Sequence, residues 1–185
     1  MSTSATGREF DEAFEGCNQP IAGRPGFFTT YRDGVDVLTL GYGHTNLGGV
    51  PPAIAEGDVW TKALCDAALG ADLASVDAEV DKVAAAHGLT FTQAQHDSCA
   101  SFQMNTGDFG KSSIPERLAA GDLSGAMAVW LEYDHAGGRV EAGLTRRRHA
   151  EVLMFHGDVA SALALAGVHK SLGGKMMRAS MRPTP

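Results

Sequence analysis

The fold of this chain is decided by one stretch, Tyr31-Arg32-Asp33-Gly34-Val35-Asp36-Val37-Leu38-Thr39-Leu40-Gly41-Tyr42-Gly43-His44-Thr45. β-Branched and aromatic residues surround Asp33-Gly34, a dipeptide typical of tight turns between strands. The stretch therefore predicts a small β-hairpin or sheet. It also carries an acid, Asp33, in the turn and a hydroxyl, Thr39, on the strand that follows.

Glu15 lies upstream of this stretch, at the end of a short amphipathic segment. Phe10 and Phe14 stand four residues apart, which predicts a helix over residues 7–15 with Gly16 directly after its end. A helix is negative at its C-terminal end and apolar neighbours exclude water, so a carboxyl there is in surroundings that favour its protonated form. Glycoside hydrolysis needs one protonated carboxyl and one ionised carboxyl on opposite sides of the scissile bond. Glu15 and the acid of the hairpin are therefore candidates for the two roles.

Beyond the hairpin the pattern predicts mainly helices. Thr92-Gln93-Ala94-Gln95 is a capping box that opens a helix running to about Asn105. One helix, a small sheet and then about five to seven helices indicate the α+β class with segregated elements, not a parallel α/β fold. Further helices are predicted from Asp58 to about His87, from near Ser113, from Asp122, over about 144–155 and over 158–166, with loops at 17–28 and 46–52.

The predicted domain covers residues 1–168. A small β lobe occupies about 17–57, and a helical lobe occupies about 58–168 together with the N-terminal helix. Residues 169–185 contain four cations and no acid, and they predict a basic, poorly ordered tail. Because leucine and methionine residues stand between its cations, the tail is also a candidate for weak contact with an anionic membrane.

Composition excludes several classes of protein. The formal charge of −7 argues against nucleic-acid binding, which needs a basic face. There is no apolar run long enough for a transmembrane helix, and the first residues lack the pattern of a signal peptide. The three cysteines have unrelated spacings, which favours buried reduced thiols over a disulfide framework. We therefore expect no metal and no cofactor.

Four segments carry a family resemblance: Phe14-Glu15-Gly16; Tyr31-x-Asp33 followed by Thr39-Leu40-Gly41-Tyr42-Gly43-His44-Thr45; Phe102-Gln103-Met104-Asn105-Thr106-Gly107; and Gly143-Leu144-x-x-Arg147-Arg148-x-x-Glu151. In this order and spacing they resemble the phage-type lysozymes (muramidases, endolysins) of glycoside hydrolase family 24, over roughly residues 8–157. The resemblance implies a lysozyme-like α+β fold with a small β-hairpin lobe, a larger helical lobe and an active-site cleft between them.

The resemblance assigns the candidate catalytic residues. It implies that Glu15 is the general acid, that Asp33 is the second carboxylate and that Thr39 shares the attacking water with it. Two features depart from the family pattern. The Gly/Pro-rich segment 17–28 makes the interval between the two acids longer than usual, and Asp36 stands where the family usually has a glycine. Asp36 is thus a rival for the role of second carboxylate.

Three further residues are candidates for substrate binding. Tyr42 is expected either to stack on a sugar ring or to fill the interior of the small lobe. Gln103 and Asn105 lie near the end of a helix that the resemblance implies runs along the cleft. Their amides suit the N-acetyl and hydroxyl groups of a sugar, and the alternative is that they cap the helix.

Three basic side chains are candidates for structural or tuning roles. His44 is expected to be a hydrogen-bonded structural histidine, partnering Glu15 or backbone near it, because no other ligand stands at metal spacing. Arg147 and Arg148 are expected to brace the fold. The alternative is that one of them pairs with Glu15 or Asp33 and tunes it.

The resemblance implies a peptidoglycan hydrolase that cleaves the β-1,4 bond between N-acetylmuramic acid and N-acetylglucosamine, usually with inversion. Such an endolysin needs no cofactor, and we expect a monomer that waits in the host cytoplasm until its release to the cell wall. Two alternatives remain open on the sequence. One is a lysozyme fold turned into a non-catalytic binding or scaffolding module, and the other is a chitin-type hydrolase.

Overall fold

Residues 1–170 and 176–178 are described by a computed structural model of the chain. They divide into two compact units. We call Glu15–Ala78 the β unit, and Met1–Phe14 with the chain from Glu79 onward the helical unit. The β unit is larger than the predicted β lobe of about 17–57, because it also takes in more than half of the first long helix.

The β unit contains two small antiparallel sheets. Strands β2, β3 and β4 form a three-stranded sheet, which confirms the predicted hairpin, and β1 pairs with β5 in a second sheet. The strands are β1 (Phe27–Thr29), β2 (Tyr31–Arg32), β3 (Leu38–Leu40), β4 (His44–Thr45) and β5 (Val59–Thr61).

The pairing of β1 with β5 corrects one prediction. Trp60 was expected on a helix beginning at Asp58, but it lies in β5 opposite Phe28. Val59 and Thr61 flank it, and such β-branched neighbours suit a strand. Helix α2 (Lys62–His87) begins directly afterwards and continues without a break through Gly70.

The helical unit contains the N-terminal helix and most of the others. Two of its helices begin at the residues that the sequence predicted. Thr92 and Gln95 form the predicted capping box of α3 (Gln93–Thr106), and the Asp122 side chain accepts a hydrogen bond at the start of α5 (Leu123–Leu131). The helices are α1 (Ala5–Glu15), α3 (Gln93–Thr106), α4 (Ile114–Ala119), α5 (Leu123–Leu131), α6 (Ala142–Phe155) and α7 (Val159–Ala166). A hairpin of β6 (His135–Ala136) and β7 (Arg139–Val140) turns at Gly137-Gly138, where both glycines have a positive φ.

Aromatic rings form the centre of the helical unit. The ring of Trp130 is fully buried, with the rings of Phe102 and Phe155 at centroid distances of 5.0 and 5.6 Å. A second buried cluster joins Phe10 of α1 to Met154 of α6. The amphipathic reading of α1 is thereby confirmed, because one of its two phenylalanines is wholly buried and the other packs against the same cluster.

The predicted tail lies mostly outside the described residues. Within the described part, β8 (Val168–Lys170) pairs with β9 (Met176–Arg178). Disorder of the tail and its contact with a membrane stay predictions. Among the residues that the structure describes, no helix is long and apolar enough to cross a membrane.

The cysteines are free thiols, as predicted. Cys65 and Cys99 are buried, whereas Cys17 is partly exposed. Burial raises the pKa of Cys17 to about 12, and the neighbouring Cys65 adds to the shift. Cys17 therefore holds its proton at neutral pH.

Candidate active site

Glu15 is the last residue of α1, and its side chain is partly buried. The chain reverses at Gly16, whose φ of 60° lies in the left-handed region that glycine favours. The Glu15 carboxyl lies beside the backbone of Gly43, so close that a Cβ at position 43 would stand 3.5 Å from Oε2. A second constraint acts on the main chain, where the side-chain amide of Asn18 donates to the Glu15 carbonyl at 3.0 Å.

Asp33 is held by the turn that it begins. Its Oδ1 accepts the backbone N–H groups of Val35 at 3.0 Å and Val37 at 2.9 Å. Its own N–H donates to the carbonyl of Val37 at 3.1 Å. The turn is wider than the two-residue turn that Asp33-Gly34 suggested. Among the described residues nothing hydrogen-bonds to Oδ2, which leaves that oxygen able to accept a proton or a water.

Thr39 lies on β3, beside the strand β2 that leads to Asp33. It is the register partner of Tyr31 across β2 and β3, and only 3% of its surface is exposed. Its hydroxyl donates to the carbonyl of Val37 at 3.0 Å. With its proton engaged there, the hydroxyl is left as an acceptor for the hydrogen of a water. Its predicted part in catalysis stays a prediction.

Asp36 occupies the position at which the turn needs a left-handed residue. Its φ is 64°, its side chain is exposed, and its carbonyl accepts a hydrogen bond from Arg32 at 3.0 Å. Left-handed backbone favours glycine. The turn geometry thus accounts for the glycine usual in the family at this point.

Tyr31 interacts with both candidate acids, and the sequence argument gave it no role. Burial raises the pKa of its phenol; the hydrogen bond from Asn18 lowers it, and the charges of Glu15 and Asp33 raise it further. Both carboxyl groups therefore contribute to the electrostatic surroundings of the phenol. Tyr31 was quoted as part of a motif, but its hydrogen bond with Asn18 depends on the folded loop and has no local sequence signal.

His44 is a hydrogen-bonded structural histidine, as predicted, but its partner is not Glu15. Nδ1 lies 2.9 Å from a carboxyl oxygen of Asp72, and Nε2 lies 2.8 Å from the carbonyl of Pro52. The bond to Asp72 raises the pKa of His44; burial opposes the shift, and the Pro52 carbonyl adds to it. Since both neighbours are acceptors, the doubly protonated imidazolium fits this place best.

Tyr42 is buried, with 2% of its surface exposed. The ammonium of Lys62 lies 5.0 Å from the centre of its ring. A ring so covered offers no face to a sugar. The structure therefore favours the second of its two expected roles, filling the interior of the β unit.

Gln103 and Asn105 make structural hydrogen bonds in the helical unit. The amide oxygen of Gln103 accepts the N–H of Phe109 at 2.9 Å and holds the turn after α3. The amide oxygen of Asn105 accepts from Arg148 at 2.8 Å. The geometry thus supports a structural role for both, and their contact with substrate stays a prediction.

Arg147 and Arg148 are almost fully buried and brace the helical unit, as expected. Both donate to Oε1 of Glu151, at 3.2 and 3.0 Å, and Arg147 also reaches Asp11 of α1 at 3.3 Å. The other oxygen of Glu151 accepts the indole N–H of Trp130 at 2.9 Å. Sequence reasoning quoted Glu151 in a motif but missed that it is the centre of this network. The i+3 and i+4 spacing of the charges was the available signal.

Among the described residues no group of three or more His, Cys, Asp or Glu side chains is arranged to hold a metal ion.

Comparison with known proteins identifies the family of this chain. A family model for phage lysozyme matches residues 23–151. The SAR-endolysin of Escherichia phage Mu is 34% identical over 131 residues, which is 70% of this chain and 71% of that protein. An endolysin of Acyrthosiphon pisum secondary endosymbiont phage 1 is 35% identical over 123 residues, 63% of this chain and 78% of that protein.

Solved structures support the same fold. The muramidase domain of SpmX from Asticaccaulis excentricus matches with a TM-score of 0.67 and 27% identity, covering 83% of this chain and 97% of that one. A P22 lysozyme mutant matches with a TM-score of 0.63 and 22% identity, over 84% of this chain and 99% of that one, and at this identity it speaks for the fold alone. The lysozyme-like α+β fold is confirmed, and this chain belongs to the phage lysozyme family.

Proposed function

We propose that this protein is a peptidoglycan hydrolase of phage lysis. It cleaves the β-1,4 bond between N-acetylmuramic acid and N-acetylglucosamine by acid/base catalysis with inversion. Membership of the phage lysozyme family and the identity to phage endolysins support the activity. On the same grounds we propose that it acts on the cell wall after release from the host cytoplasm.

One observation carries the mechanism: the end of α1 that carries Glu15 is linked through the Asn18 amide to Tyr31, on the strand that leads to Asp33. The Glu15 carboxyl lies beside Gly43, two backbone N–H groups hold Asp33 in its turn, and the charges of both carboxyls raise the pKa of Tyr31. Preorganised acid and base groups of this kind lower the barrier because they are oriented before the substrate arrives.

Each carboxyl has one task in the proposed reaction. Glu15 donates its proton to the leaving oxygen as the glycosidic bond breaks. Asp33 takes a proton from the water that attacks the anomeric carbon, and its charge stabilises the positive charge that develops there. The Thr39 hydroxyl, as an acceptor, orients that water. The products are two glycan ends. Asp33 then releases its proton to solvent and Glu15 takes one up, which restores both carboxyl groups.

Clearing of purified bacterial cell walls tests the proposal. The wild-type protein should clear a suspension, and Glu15→Gln should reduce the rate at least about 100-fold, since a lost general acid costs on that order. Glu9→Gln makes the same substitution on the same helix and should leave the rate unchanged. An inactive wild type, or Glu15→Gln as active as wild type, would reject the catalytic role and favour the binding-module alternative.

Product analysis separates the proposed substrate from chitin. Wild type and Glu9→Gln should release muramic-acid-terminated fragments from peptidoglycan and leave chitin oligomers intact. Faster cleavage of the chitin oligomers would make the chitin-type alternative correct. Elution volume during the same purification checks the expected monomer.

A further inference from the structure

Asn18 belongs to the segment 17–28, whose length distinguishes this chain from the family pattern. Its side chain is exposed, yet one nitrogen reaches two parts of the candidate site. Nδ2 donates to the carbonyl of Glu15 at 3.0 Å and lies 3.4 Å from the hydroxyl of Tyr31. The amide therefore bridges the end of α1 and the strand that leads to Asp33.

The backbone of Asn18 is held as firmly as its side chain. Its N–H donates to the carbonyl of Gly41 at 3.0 Å, in an isolated bridge just after β3. The next residue, Gln19, accepts the N–H of Thr29 at 3.2 Å. The inserted segment is thus tied on both sides to the sheets of the β unit. These backbone bonds fix the direction in which the Asn18 amide points.

We propose that Asn18 is a positioning residue, which holds the Glu15 end of α1 against Tyr31 and so sets the separation of the acid from the base Asp33. This inference rests on the proposed function of the two carboxyls. Asn18 lies in the segment 17–28, which connects the candidate acid to the strand that leads to the candidate base. Asn18 acts through Glu15 and Tyr31, and it need not touch the substrate.

Steady-state kinetics on a soluble cell-wall glycan oligomer test the proposal. Misplacement of reacting groups by about 1 Å costs up to roughly 100-fold in rate, so we expect Asn18→Ala to lower kcat by about tenfold. KM should stay within about twofold, because orientation and not binding is lost. A kcat within about twofold of wild type, or a loss confined to KM, would overturn the proposal.

Asn46→Ala is the matched control. Asn46 is also an exposed asparagine of the β unit, and its amide makes two loop hydrogen bonds, both 2.8 Å, to the backbone of Ile54. Its removal should lower thermal stability and leave kcat unchanged. If Asn46→Ala reduced kcat as much as Asn18→Ala, loss of a loop brace anywhere in the unit would explain both results, and the proposal would be overturned.

A double-mutant cycle asks whether Asn18 acts through Tyr31. Asn18→Ala should cost less in a Tyr31→Phe background than in wild type, because the bridged hydroxyl is already gone. Strictly additive effects on kcat would overturn that link.

Asn18→Asp provides a variant of the same size, should the alanine variant fail to fold. A carboxylate cannot donate to the Glu15 carbonyl or to the Tyr31 hydroxyl, so Asn18→Asp should also lower kcat by about tenfold and leave KM within about twofold. A kcat within about twofold of wild type would overturn the proposal.

Wild type and Glu15→Gln belong in every series. If wild type is inactive, the proposed function has failed. If wild type is active, Glu15→Gln is inactive and the Asn18 variants behave like wild type, only the positioning role has failed.

Discussion

The two units of this protein each contain a buried ionic brace, and the braces differ in their response to protons. In the β unit, His44 is 2% exposed and pairs with Asp72, which is 20% exposed. In the helical unit, Arg147 and Arg148 close on Glu151, with exposed fractions of 4% or less. An arginine stays protonated at any working pH, whereas a histidine does not. The unit with the candidate acid is therefore held by a pH-dependent brace, and the other unit by a permanent one.

Removing the centre of the permanent brace should have the largest effect. Glu151→Gln leaves two buried guanidinium groups without their common carboxylate. Breaking a buried ion pair in this way costs about 3–5 kcal/mol. We expect a loss of at least about 3 kcal/mol in the free energy of unfolding, measured by urea denaturation at neutral pH.

Glu141→Gln is the control for this prediction. Glu141 directly precedes α6, the helix that carries Glu151. Its side chain is exposed and makes no hydrogen bond that caps the helix. Its substitution should change stability by less than about 0.5 kcal/mol. Equal stabilities of the two variants would mean that Arg147 and Arg148 find other hydrogen-bond partners without Glu151. The helical unit would then not depend on a buried ion-pair network.

The brace of the β unit should make stability depend on pH. The folded-state pKa of His44 is raised above its unfolded value of about 6.5. Its contribution is therefore fully present below about pH 6.5 and is lost as pH rises through the raised folded value. Because a charge-assisted hydrogen bond is weakened, we expect the wild type to lose stability across that window, by at most about 3 kcal/mol.

Asp72→Asn measures this contribution, and Asp66→Asn controls for it. Asp72→Asn should have a lower free energy of unfolding than wild type at low pH. The difference should shrink as pH rises and His44 loses its proton in both proteins. Asp66 pairs with Lys62 across one turn of the exposed face of α2, and such a pair contributes at most about 1 kcal/mol. Asp66→Asn should thus keep the pH dependence of wild type. If Asp72→Asn keeps it as well, His44 does not titrate in the predicted way.

The difference between the units also shows what the sequence could predict. Features set by neighbouring residues were correct, including the capping box at Thr92, the reversal at Gly16 and the helical bracing by Arg147. Long-range partners were missed. The pairing of β1 with β5 joins segments about thirty residues apart, and nothing local distinguishes Asp72 from other acids on α2.

The candidate site follows the same rule. Glu15, Asp33 and Thr39 were named because motifs specify residue types at a spacing. The stacking role of Tyr42 was not supported, since burial depends on what packs over a ring. The positions of Tyr31 and Asn18 depend on the path of the inserted segment, which no motif describes.

The smallest predicted effect concerns Asp36, where two variants distinguish the contribution of the backbone conformation from that of the carboxylate. This residue has a φ of 64°, which costs an L-residue with a Cβ more than it costs glycine. Asp36→Gly should therefore raise the free energy of unfolding by about 0.5 kcal/mol. Asp36→Ala removes the same carboxylate but keeps the Cβ, so it should gain nothing. Both variants should clear cell walls at the wild-type rate if Asp33 is the base. Loss of activity in both would identify Asp36 as the second carboxylate. The general base would then be the exposed Asp36 and not Asp33, which is hydrogen-bonded within the turn.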